Sequence, residues 1–75
     1  MNPTAAILVI GDEILSGRTR DSNMHFLAQE LARVGIDLRE ARVVPDRQEA
    51  IVRAVRELSR AHDHLFTSGG IGSVW

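Results

Sequence analysis

The chain has 75 residues, a net charge of -1, no cysteine, and nine basic residues that are all arginine. That length allows one domain, and the near-zero charge gives no whole-chain field toward nucleic acid or anionic membrane. Without cysteine or lysine, disulfides, thiolate chemistry, P-loop lysines and Schiff-base lysines are excluded. No apolar run approaches the roughly 20 residues that span a bilayer. Met1–Thr4 has neither a basic region nor a cleavage site, so no signal peptide is expected. The expected location is cytoplasmic, with no membrane or nucleic-acid partner.

Ala5–Ile10 is a continuous apolar run closed by Gly11. It reads as a strand buried on both faces, of the parallel-sheet type. Gly11 to Arg20 reads as a long loop, and Asp21 or Ser22 can cap the next element. Met24, Leu27, Ala28, Leu31 and Val34 recur at helical spacing, and Gly35 supplies the stop. Ile36–Val44 reads as a second, more polar strand near a sheet edge, ended by Pro45. Asp46 and Glu49 have the spacing of a capping box. Ala50, Ile51, Ala54, Val55 and Leu58 form the stripe of a second helix, with Glu49–Arg53 and Arg53–Glu57 as i,i+4 ion pairs on its wet face. Asp63–Thr67 reads as a third strand, and Ser68-Gly69-Gly70 follows.

The order strand–helix–strand–helix–strand predicts an α/β fold with a parallel sheet and right-handed crossovers. A third strand placed on the far side of the first gives the order 2-1-3, with the helices on opposite faces. The turns after all three strands then share one rim, at a topological switch point where open α/β sheets bind ligands. Glycines at Gly11, Gly17, Gly69, Gly70 and Gly72 let backbone N–H groups approach an anion. Asp12, Glu13 and Asp46 place carboxylates on the same rim. Amides and carboxylates together suit a phosphate ester handled with Mg²⁺. The same glycines also serve plain turns, Asp12-Glu13 also fits a solvated turn, and Asp46 also fits a helix cap.

Four motifs in this order carry a family resemblance: Gly11-Asp12-Glu13-Ile14-Leu15-Ser16-Gly17, Asp21-Ser22-Asn23, Val44-Pro45-Asp46 and Ser68-Gly69-Gly70-Ile71-Gly72. Together they resemble the molybdopterin-binding domain family of MoaB and MogA, in particular the N-terminal domain of CinA-type proteins and the related domain of eukaryotic FAD synthases. The resemblance implies a three-layer α/β/α domain of which this chain carries the first β-α-β-α-β portion. It implies a small-molecule phosphate ligand, molybdopterin or a nucleotide, and Mg²⁺-dependent chemistry at a pyrophosphate in intact relatives. By motif position, Gly11, Asp12, Glu13, Ser16, Gly17 and Asn23 would form one side of the ligand site. Ser68, Gly69, Gly70 and Gly72 would form the phosphate turn, and Asp46 would be the catalytic and metal-binding carboxylate. Ser73-Val74 departs from the Pro-Thr that follows this turn in CinA-like members. The expectation is a fragment or a frameshifted reading without turnover of its own. The alternative is a non-catalytic module that pairs with a partner, or with itself as a homo-oligomer, through an open sheet edge.

Three further features read as structural. His62-Asp63-His64 offers two ligands without a third, too few for a closed zinc site. Arg53, Arg56 and Arg60 line one helix face and read as solvated. His25 reads as exposed.

Overall fold

The computed structural model describes residues 1–11 and 23–69. Five elements follow in order: β1 (Thr4–Ile10), α1 (Asn23–Arg33), β2 (Asp37–Val44), α2 (Gln48–Ala61) and β3 (His64–Ser68). The strands form one parallel sheet in the order β2-β1-β3. This is the predicted α/β topology, and β1 is its centre. No residue of Ala5–Ile10 is more than 3% exposed. An uninterrupted apolar run suits a strand that has another strand on each side and cover on each face.

Alternation along β1 divides the core between two faces. Ala6, Leu8 and Ile10 pack with Val44 and with Ala54 and Leu58 of α2, supported by Ala50, Ile51, Val55 and Leu65. Ala5, Ile7 and Val9 point the other way and are buried as well. Leu31, the buried side chain of α1, lies outside the α2 cluster, and α1 packs on β2. Val34, expected in the α1 stripe, is 70% exposed, because the helix ends before it. The end of α1 is a Schellman turn. Gly35 sits at φ +82°, Ile36 N–H donates to Leu31 O (2.9 Å) and Gly35 N–H donates to Ala32 O (3.2 Å). These two bonds satisfy carbonyls that a helix end leaves free.

Two local expectations are corrected. The residue at the N-cap of α2 is Arg47, which makes no side-chain cap bond, so the Asp46–Glu49 capping box does not form. Arg47 N–H instead donates to Pro45 O at 2.8 Å, a tight turn that moves the helix start one residue on. The i,i+4 pairs of α2 are absent among the described residues. Arg42 of β2 takes Glu57 across the sheet–helix interface, because both project to the same side of the sheet. The strand bounds also differ slightly: β2 starts at Asp37 and β3 runs one residue later than expected.

At the N-terminal end of the sheet, opposite the rim, polar side chains tie three segments together. His62, with its side chain 10% exposed, holds Glu40 Oε1 through Nε2 (2.9 Å) and Thr4 Oγ1 through Nδ1 (3.2 Å). The second oxygen of Glu40 accepts from Arg42 at 3.1 Å. Thr4 and Asp63 exchange two bonds. Thr4 N–H donates to Asp63 Oδ2 (2.9 Å), and Asp63 N–H donates to Thr4 O (3.0 Å). The hydrogen bond from His62, and then that from Arg42, hold the Glu40 carboxyl below its ordinary pKa. A lowered carboxylate pKa contributes stability above the unfolded-state value, and that contribution is lost as pH falls through the folded value. The Glu40→Gln variant is therefore expected to be less stable at neutral pH. Its stability should also fall less on acidification than that of the parent. Urea midpoints measured from neutral pH down to about pH 3.5, below the ordinary carboxylate range, check this.

Candidate functional site

Parallel pairing aligns the C-terminal ends of the strands. Ile10 lies opposite Val44, and Val9 opposite Ser68, so the turns that follow are neighbours. Gly11 is buried, and its N–H donates to Val44 O at 3.0 Å. This bond fastens the turn after β1 to the end of β2. On the other side, Gly69 lies at φ +78°, and a Cβ built there would sit 2.6 Å from Ile10 O. The backbone after β3 therefore touches the end of β1. Only a residue without a side chain permits that approach in that conformation.

The turn after β2 completes the rim. Asp46 is exposed and makes no hydrogen bond or ion pair with another described residue. The first helical bond of α2 is Ile51 N–H to Arg47 O (3.0 Å). The N–H groups of Gln48, Glu49 and Ala50 thus precede the ladder, and no side chain caps them at Arg47. A helix start with free N–H groups carries partial positive charge and favours an anion. Among the described residues the rim presents glycine turns, a helix start with no side-chain cap at Arg47, and the exposed carboxylate of Asp46. Among the described residues no three His, Asp or Glu side chains cluster as a metal site. One carboxylate suits Mg²⁺ only where phosphate oxygens and water supply most of the ligands.

Of the residues read from sequence, the structure brings Gly11, Asp46, Ser68 and Gly69 to this rim. Ser68 is the half-buried last residue of β3, and Asn23 begins α1. Asp12, Glu13, Ser16, Gly17, Gly70 and Gly72 lie outside the described residues. The uncapped start of α2 escaped sequence reasoning, because the Asp46–Glu49 spacing signals a cap that the Pro45 turn prevents. His62 belongs to the network at the other end of the sheet, and His25 is exposed, as expected. A shallow groove lined by Glu49, Val52, Arg53, Arg56, Glu57 and Arg60 lies on the outer face of α2 and draws on that helix alone.

Comparison with known proteins agrees with the geometry. Residues 6–73 match the family model described as "Probable molybdopterin binding domain". The chain is 52% identical over 69 residues to a "Probable FAD synthase" of Caenorhabditis elegans, covering 92% of this chain and 13% of that protein. It is 40% identical over 67 residues to a "CinA-like protein" of Citrifermentans bemidjiense, covering 89% of this chain and 16% of that one. The crystal structure of the protein CinA from Thermoplasma acidophilum superposes with a TM-score of 0.88 at 32% identity, over 99% of this chain and 44% of that one. The chain thus spans only a small part of the curated relatives it matches and under half of the solved CinA chain. A parallel 2-1-3 sheet with glycine turns meeting at its rim, and a family match along nearly the whole chain, place this protein in the molybdopterin-binding domain family.

Proposed function

We propose that the rim formed by Gly11, Asp46, Ser68 and Gly69 binds the phosphate end of a small molecule, a molybdopterin or a nucleotide. The observation that carries this reading is the contact between the Gly69 turn and Ile10 O, which merges two turns into one cradle. Backbone N–H groups there and at the start of α2 would hold phosphate oxygens. Asp12, Glu13, Ser16, Gly17, Asn23, Gly70 and Gly72 would complete the site, by their positions in the family motifs. The family description favours a pterin, and the FAD synthase relative favours a nucleotide.

Asp46 would anchor one Mg²⁺, with phosphate and water as the remaining ligands. A metal bound there supplies Lewis-acid polarisation of a phosphoryl oxygen. In longer relatives this chemistry would serve attack at a pyrophosphate phosphorus, assisted by carboxylates outside the matched segment. The chain by itself would bind without turning over. Calorimetric titration with ADP-ribose is expected to give binding that Mg²⁺ strengthens and no hydrolysis product. Asp46→Asn should abolish the strengthening by Mg²⁺, a loss on the order of tenfold in Kd, or about 1.4 kcal/mol. Equal Mg²⁺ dependence in the two proteins would refute the role of Asp46, and rapid hydrolysis would refute the binding-only reading.

A further inference from the structure

Strand β2 carries one residue more than its pairing with β1 uses. Thr4 and Ala5 lie opposite Asp37 and Leu38, but Ala6 lies opposite Glu40, so Arg39 bulges out of the ladder. Because side chains alternate, that extra residue turns Glu40, Arg42 and Val44 to the face of Ala6, Leu8 and Ile10, where α2 packs. Without the bulge, Ala41 and Val43 would take that face, and Glu40 and Arg42 would lie beside the buried Ile7 and Val9 on the other. Apolar patterning barely separates the two registers, since each sets a valine beside Ile10. Charge does separate them. In the observed register Glu40 accepts from His62 Nε2 and from Arg42, and Arg42 reaches on to Glu57 of α2. His62, the most enclosed of the four side chains, ends this chain at Thr4.

We infer that the chain Glu57–Arg42–Glu40–His62 is a register lock, and that Glu40 and His62 are positioning residues for the rim at the opposite end of the sheet. The register that sets Glu40 beside Ala6 also sets Val44 beside Ile10. Gly11 N–H then meets Val44 O, and Pro45-Asp46 follows directly. Loss of the bulge would carry that turn one residue, roughly 3.3 Å, further along the strand. The bond from Gly11 to Val44 would be lost, and Asp46 would stand beyond the two glycine turns. Exposed ion pairs contribute little to overall stability. A small preference is nevertheless enough to choose between two registers that bury similar side chains. That the displaced turn matters to a ligand rests on the reading of the rim as an anion site, whereas the register does not.

Amide exchange in the full chain tests the lock, with Leu8, fully buried in the central strand, as the reference. Glu40→Ala should lower the protection of Gly11 by about tenfold or more relative to that of Leu8. Its Kd for inorganic pyrophosphate should rise about twofold or more, as the second register takes up half the molecules. Deleting Arg39 in the same variant removes the extra residue, so an unbulged strand keeps Arg42 and Val44 on their observed face. The double variant should recover both values. A role for Glu40 in stability alone predicts no recovery, because the deletion restores no lost bond. Should Glu40→Ala unfold, Glu57→Gln, at a half-exposed position, should lower Gly11 protection in the same sense. Equal loss of protection at Gly11 and Leu8, or no recovery on deleting Arg39, would overturn the lock. A parent chain that does not bind pyrophosphate would refute the reading of the rim alone, and the exchange ratio would still decide the register.

Discussion

Gly69→Ala is expected to lose ligand binding and to lower stability together. Two independent costs act at this position. A side chain at φ +78° occupies the left-handed region, at a cost of roughly 1–2 kcal/mol. The new Cβ would also lie 2.6 Å from Ile10 O, a backbone atom of the central strand that cannot rotate away. Relief requires the turn to lift off β1. That movement separates the turns after β1 and β3, whose contact makes the proposed cradle. The variant should lose about 2 kcal/mol or more of stability and most of its affinity for a phosphate ligand. Gly35→Ala provides the control. It carries a similar left-handed φ but has nothing within 4 Å of its Cβ position. It should lose stability by the conformational cost alone and keep its affinity. Urea unfolding and a binding titration on both variants separate strain from site geometry.

Leu58→Ala is expected to unfold a large fraction of the molecules. Leu58 is fully buried and joins α2 to Leu8, Ile10 and Val44 of the sheet. Removing such a side chain costs about 2–5 kcal/mol, the lost transfer energy plus the cavity left behind. A domain of this length has on the order of 4–11 kcal/mol in total. The lower end of that range is the relevant one, since a small chain buries a smaller share of its surface. The site would go with the fold, because α2 carries the helix start that borders the rim. Val52→Ala, on the same helix but 38% exposed, should change stability by about 0.5 kcal/mol or less. Thermal unfolding of the three proteins at one concentration gives the comparison.

The parts of this fold that were legible in the sequence are those set by continuous or periodic hydrophobicity. The Ala5–Ile10 run read as a strand covered on both faces, and two helical stripes between strands implied parallel crossovers. Gly35 and Gly69 were legible because a turn with positive φ selects glycine. Interactions between distant segments were not legible. Glu57 looked like a partner for Arg53 because the two are helix neighbours, yet Arg42 reaches it from β2. The Asp46–Glu49 spacing matched a cap, yet the Pro45 turn shifted the helix start to leave Arg47 there. His62 read as structural without a named partner, and its role depends on Glu40 and Thr4, which are remote in sequence. The bulge at Arg39 has no local signal either, since it arises only when β2 is laid against β1. At the candidate site, sequence motifs named the glycines and Asp46. The helix start at Arg47, with no side-chain cap there, emerged only with coordinates.

Amide chemical shifts during titration with inorganic pyrophosphate, with and without Mg²⁺, test the shared rim most directly. The resonances of Gly11, Gly69 and Gln48 should move together along one saturation curve, while those of Arg53, Arg56 and Arg60 stay in place. Shifts confined to the arginine face of α2, or a Gly69 resonance that does not respond while Gly11 does, would contradict a single anion cradle at the strand ends.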